Sequence, residues 1–331
     1  MVIAGTGSKK AIYIFIIIAS ILVSIDIWYV TNVLQLRQVG FLIWEGGISI
    51  LLLLIGTLLS FKFSPDPRTR KGIIITYCLL IFEVFIMLNY ATLATYVDKL
   101  TFYFHLSITA SAILLAGMVG NIVGLEKKVE EGFNIYIYDK KSPIPPKLLI
   151  PLWIVVFLLM GAFVFTSGHV LVSYPQFGIL QYLGGPATSG FGVGDWENVV
   201  FMIFPFAISM LILRYFKVPF LPSVLISLII GTVTFTVYHT LVYSTNMIAM
   251  VIILIFGTIS LISYKSTKSI IILSAMHVGN NFWGAFFAVT VIGLAAYGGT
   301  PISFIWASVI LLIGSAISIF VILKLVKRHG K

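Results

Sequence analysis

Glu197, His239, His277 and Asn281 are the residues of this 331-residue chain best equipped for chemistry. They fall in three stretches: Glu197-Asn198-Val199-Val200-Phe201-Met202, Phe235-Thr236-Val237-Tyr238-His239 and His277-Val278-Gly279-Asn280-Asn281. Each stretch lies inside or beside an apolar run of membrane-spanning length. Ionisable groups at such depth face a bundle interior or a wet cavity, and they mark functional sites. Peptide hydrolysis asks for a base to take a proton from water, an acid for the leaving amine and donors at the developing oxyanion. A carboxylate withdrawn from water binds a proton more tightly, which suits a base working near neutral pH. His277 and Asn281 are four apart, so on a helix they share a face and can aim two donors at one oxygen. His239 must come from another helix.

The elements that position these groups follow from composition. The chain is 60% hydrophobic and only 10% charged, against roughly 25% charged in soluble proteins. A multi-span membrane protein is the reading, with an all-α polytopic bundle as its fold. Spanning takes about 20 apolar residues, and on that measure ten helices begin near Ala11, Gly40, Gly72, Thr101, Leu148, Trp196, Pro219, Ser244, Ser269 and Pro301. This arrangement places 19 of the 21 basic residues on one side and leaves only Arg37 and Lys99 on the other. The positive-inside rule then puts both termini in the cytoplasm. The net charge of +10 sits in short loops, so it reads as a topology signal and a contact to anionic lipid, not as a nucleic-acid surface. The single cysteine, Cys78, excludes an intramolecular disulfide. The apolar stretch after Lys9 and Lys10 exceeds the ~7–15 residues of a signal h-region and lacks a cleavage site, so it reads as a span.

The loop Glu126–Lys147 contains Ser142-Pro143-Ile144-Pro145-Pro146, whose prolines stop a helix. It divides a four-helix accessory region, residues 1–147, from a six-helix region, residues 148–331, whose core is about 196–287. The glycine-rich run Gly190-Phe191-Gly192-Val193-Gly194 ahead of Glu197 reads as a flexible connection. A phosphate-binding loop would need a preceding strand and a helix-borne lysine, and the sequence offers neither.

From Trp196 to about Phe287 the chain resembles the CAAX-protease and bacteriocin-processing family of intramembrane peptidases. That family's pattern is Glu-Glu-x-x-x-Arg, then Phe-x-x-x-His, then His-x-x-x-Asn. Phe235 and His239 fit the second motif, and His277 and Asn281 the third. Gly257, Leu261, Tyr264, Thr267 and Ser269 are similar to the family's approach to its last motif. In the first motif Glu197 matches, but Asn198 stands for the second glutamate and Met202 for the arginine. The resemblance implies that Glu197 and His239 activate a water while His277 and Asn281 stabilise the oxyanion. It implies an endopeptidase acting near the membrane surface on a peptide or protein, with lipid-modified termini among the candidate substrates. A supporting Glu–Arg ion pair lost as a pair leaves no unpaired charge behind, so substitutions at Asn198 and Met202 are expected to matter much less than those at the four matched positions.

The peptidase reading needs no cofactor, and zinc is not implied, since no His-Glu-x-x-His pair occurs. A metal bound by His239, His277 and Glu197 remains open at this stage. Asp26, Glu45, Glu83, His105 and His169 also interrupt apolar runs. Two alternatives rest on them: a redox subunit holding haem or a metal through His105, His169 and His239, and a proton-coupled transporter relaying through Asp26, Glu45 and Glu83. The plainer expectation for Glu45 and Glu83 is buried pairing with Tyr, Trp or His in the accessory bundle. Depth poses a difficulty. At about 1.5 Å per residue, His239 stands some 30 Å and Glu197 about 25 Å above their cytoplasmic helix ends, but His277 only about 13 Å. An upright bundle would hold them apart; tilted helices, or a Lys265–Lys268 hairpin that stops short of the surface, would bring them together.

Overall fold

The computed structural model describes residues 28, 39–64, 66–91, 97–123, 135–167, 190–191, 194–243 and 247–296. The long helices are α1 (Val39–Phe63), α2 (Pro67–Ala91), α3 (Val97–Val123), α4 (Leu149–Ser167), α5 (Phe204–Tyr215), α6 (Phe220–Tyr243), α7 (Met247–Thr267) and α8 (Ile270–Ala296). Six stretches among the described residues are long and apolar enough to cross a membrane: Trp44–Phe63, Pro67–Asn89, Pro146–Val164, Gly194–Tyr215, Phe220–Thr240 and Ala249–Thr267. The chain is a multi-pass helical membrane protein. Of the ten expected spans, those beginning at Ala11 and Pro301 lie outside the described residues. Those beginning near Thr101 and Ser269 coincide with helices α3 and α8, and α3 holds a shorter apolar stretch, Tyr103–Val119.

The surface is inverted relative to a soluble protein. Leu58, Ile229 and Val237 are exposed, whereas Glu45, Glu83, Asp195, Glu197, Asn198 and His277 are buried. Lipid accepts the first group without cost and would reject the second, so the bundle interior carries the polarity. Helix starts obey local chemistry. Asp66 precedes Pro67, which needs no N–H partner at the first helical position, and its carboxylate accepts the Thr69 N–H at 2.7 Å. That bond holds the Asp66 carboxyl below its usual range.

Helices α1, α2 and α3 pack together, while α4 lies along α8 and α6 lies between α5 and α7. The two groups are joined through buried polar contacts described below. The segment 135–145 between them is no simple linker. Ile135, Tyr136, Ile137, Tyr138 and Ile144 are buried, and Tyr138 bridges Ser269 in antiparallel fashion. Asp139 N–H donates to Lys268 O at 3.0 Å and Ile270 N–H to Ile137 O at 3.3 Å. The Ser142 hydroxyl donates to Thr267 O, and the Tyr136 N–H to the Tyr264 hydroxyl at 2.6 Å. Arg68 ties the α1–α2 turn to the same segment through Ser142 O at 2.7 Å. The α7–α8 hairpin is thus buried beneath a cap of backbone bonds. This is the short-stopping hairpin that depth counting requires, and Lys268 makes its turn at a positive φ of 50°.

Candidate functional site

Glu197 enters on an irregular turn. Residues Asn198–Ile203 form a π-helical turn, closed by the Phe204 N–H donating to Val199 O. Its cause is next in sequence: Pro205 has no N–H to return to Phe201 O, so a regular α-turn there would leave a carbonyl unpaired. Such turns widen a helix locally and recur at functional sites. Two glycines let neighbouring helices close on it. A Cβ on Gly194 would lie 2.7 Å from Val278 N, and one on Gly231 2.9 Å from Met202 O. The glycine-rich run therefore ends in a tight contact against the His277 turn.

Three of the four expected side chains converge. Glu197 Oε2 lies 3.6 Å from His239 Nε2 and 3.6 Å from His277 Nε2, and one ligand atom from each of the three lies within 4.8 Å of the others. His277 and Glu197 are buried, and His239 keeps only 12% of its side chain exposed. Asn281 stands one turn beyond His277 on α8, half-buried, with its Oδ1 accepting from Asn280 Nδ2 at 3.1 Å. The expected pairing of His277 with Asn281 at an oxyanion gives way to a His277 that faces Glu197.

Hydrogen-bond partners fix both imidazoles. The carbonyl of Phe235 can only accept, so His239 Nδ1, 2.8 Å away, carries the proton. Asn198 Nδ2 donates to Leu273 O at 3.2 Å, which turns its Oδ1 toward His277 Nδ1 at 2.8 Å. His277 Nδ1 is therefore also a donor. Each neutral ring then presents an Nε2 lone pair to the carboxylate. Tyr238 hydrogen-bonds the Glu197 carboxylate, while Glu197 Oε2 is buried with no hydrogen-bond donor. Phe235 stacks edgewise on His277 at 5.4 Å and tilts against His239 at 4.3 Å, and Phe256 covers His277 from another side at 5.4 Å. The result is a dry pocket in which three electron-pair donors point at one place.

Asn198 corrects the expectation that its position matters little. It orients His277 and ties the π turn to α8, a role that its amide performs through both polar atoms. Met202 is fully buried in the core, where arginine would leave a charge among Phe235, Phe256 and Leu261. Tyr238 was part of a recognised stretch, but only its contact with Glu197 shows its task.

The remaining polar residues fall elsewhere. His105 Nδ1 lies 3.5 Å from Glu45, in keeping with pairing inside the accessory bundle. Glu83 instead reaches into the second group of helices. Its Oε1 accepts from the Ser274 hydroxyl at 3.2 Å, whose oxygen accepts from Trp153 Nε1 at 3.0 Å. Glu83 also hydrogen-bonds Asp195, and two carboxyls can do so only by sharing a proton. Asp26 and His169 lie outside the described residues. Among the described residues, Glu197, His239 and His277 are the group of three or more potential metal ligands.

Known proteins add no name to this geometry. The chain matches no family model, no curated protein and no solved structure.

Proposed function

We propose that this protein is an intramembrane endopeptidase of the CAAX-protease type, cleaving a peptide near the membrane surface with a water activated at the Glu197–His239–His277 centre. The observation that carries this reading is the convergence of the three side chains, from three separate parts of the chain, with their acceptor atoms 3.6 Å apart along two edges. A water placed there meets only acceptors, so its hydrogens are engaged and its lone pairs are left for a carbonyl carbon. Glu197 supplies the negative charge on which this activation depends. The water-poor surroundings built by Phe235 and Phe256 strengthen each of these interactions.

The substrate class is a peptide or protein segment presented from the membrane, with lipid-modified termini as first candidates. The test is cleavage of prenylated and unmodified peptides by the purified protein in lipid vesicles, with products identified by mass spectrometry. Product from wild type and none from Glu197→Gln is the expected result; no product from wild type with any peptide in the set overturns the reading. Both termini face the cytoplasm in this proposal, on the 19-to-2 basic asymmetry. Cysteines placed at Lys140 or Lys141, on a background lacking Cys78, will label only from the cytoplasmic side. Labelling from outside intact cells would reverse the topology.

A further inference from the structure

Three acceptors aimed at one point need a positive partner, and the tautomers limit what it can be. With both Nδ1 atoms committed as donors to Phe235 O and Asn198 Oδ1, neither neutral ring has a proton to offer Glu197. The 3.6 Å separations are too long for direct hydrogen bonds. A single water has two hydrogens for three acceptors and leaves one unsatisfied in a buried site, which is costly.

We propose that Glu197, His239 and His277 bind one divalent transition-metal ion, zinc by donor set, through Glu197 Oε2 and the two Nε2 atoms. The inference concerns the same centre as the peptidase reading but rests on its geometry, not on its substrate. A triangle with two edges of 3.6 Å and a third of no more than 4.8 Å has a circumradius of at most about 2.4 Å. An ion near its middle thus reaches all three atoms at close to the ~2.0–2.2 Å of zinc–nitrogen and zinc–oxygen bonds. Two imidazoles and a carboxylate are a known set of three protein ligands for catalytic zinc, which keeps its fourth position for water or substrate. The surroundings match too. A metal-bound histidine characteristically donates its other N–H to a carbonyl or carboxylate; here a backbone carbonyl and a side-chain amide oxygen fill that role. Tyr238 hydrogen-bonds the carboxylate ligand, and aromatic rings close the far side. A zinc ion lowers the pKa of its bound water to about 7. With the ion in place, Glu197 serves by holding it, and activation of the water depends on Glu197 all the same.

The test loads purified, chelator-stripped protein with zinc alone, removes excess by gel filtration and counts metal by plasma mass spectrometry. About one zinc per chain is expected for wild type, with loss in Glu197→Gln, His239→Ala and His277→Ala, and affinity ~10–100-fold weaker in Asn198→Ala. Cobalt substitution of wild type should give the visible bands of a four-coordinate ion, a readout that needs no variant to fold. Folded wild type that retains no zinc and gives no cobalt bands overturns the site, as does zinc held equally by wild type and His277→Ala. Cleavage that persists in protein shown to be metal-free also overturns it while leaving the peptidase reading intact. Zinc bound stoichiometrically by a protein that cleaves no peptide supports the site and removes the peptidase reading.

Discussion

Glu197→Gln lowers cleavage by at least ~10²-fold in a protein that still folds. The exchange keeps the shape of the side chain and an oxygen to accept from Tyr238. It removes a buried charge without creating another, so the helices have no new unpaired ion to accommodate. What changes is the character of the centre. Oε2 faces two Nε2 lone pairs, and an amide nitrogen in its place would donate to them, occupying the electron pairs that otherwise act on water. Single-turnover cleavage in vesicles gives the rate, and gel filtration with circular dichroism gives the fold. A variant that cleaves as fast as wild type would remove Glu197 from the chemistry.

Much of the bundle was written in the sequence because burial in lipid is a coarse requirement. An apolar run of sufficient length must be helical, whatever its neighbours, and eight of the ten expected starts fall near the helices that the structure describes. The convergence of Glu197, His239 and His277 was also legible, since buried ionisable groups on separate runs have few places to go. Their depths were not. The linear count treated every helix as upright and every loop as a surface loop, whereas residues 135–145 fold over the α7–α8 hairpin. Nothing in the composition of Ile135–Tyr138 distinguishes a cap strand from a short apolar patch. The metal-like geometry was hidden for a related reason: ligands on a π turn, α6 and α8 have no common spacing to read. Glu83 was expected inside its own bundle, and its reach to Ser274 and Asp195 depends on how two groups of helices dock, which pairwise periodicity does not encode.

Asn198 is the sharpest case, because here sequence reasoning pointed the wrong way. Treated as a lost glutamate, Asn198 should be dispensable. Seen between Leu273 O and His277 Nδ1, it is what decides which nitrogen of His277 carries the proton. His277→Ala should lower cleavage by ~10²–10³-fold, the loss typical of one polarising group at a reacting centre. Asn198→Ala keeps the imidazole but frees its tautomer and rotation, and should cost ~10–100-fold. Asn198→Asp supplies a stronger acceptor for Nδ1–H and should restore the orientation of the ring, though it forfeits the amide bond to Leu273 O. Combining His277→Ala with Asn198→Ala should add almost nothing to the loss from His277→Ala, because the amide acts through the imidazole. Rate measurements on the four proteins form a double-mutant cycle. Losses that multiply would mean that Asn198 serves the π turn rather than His277, and its role would then be one of packing alone.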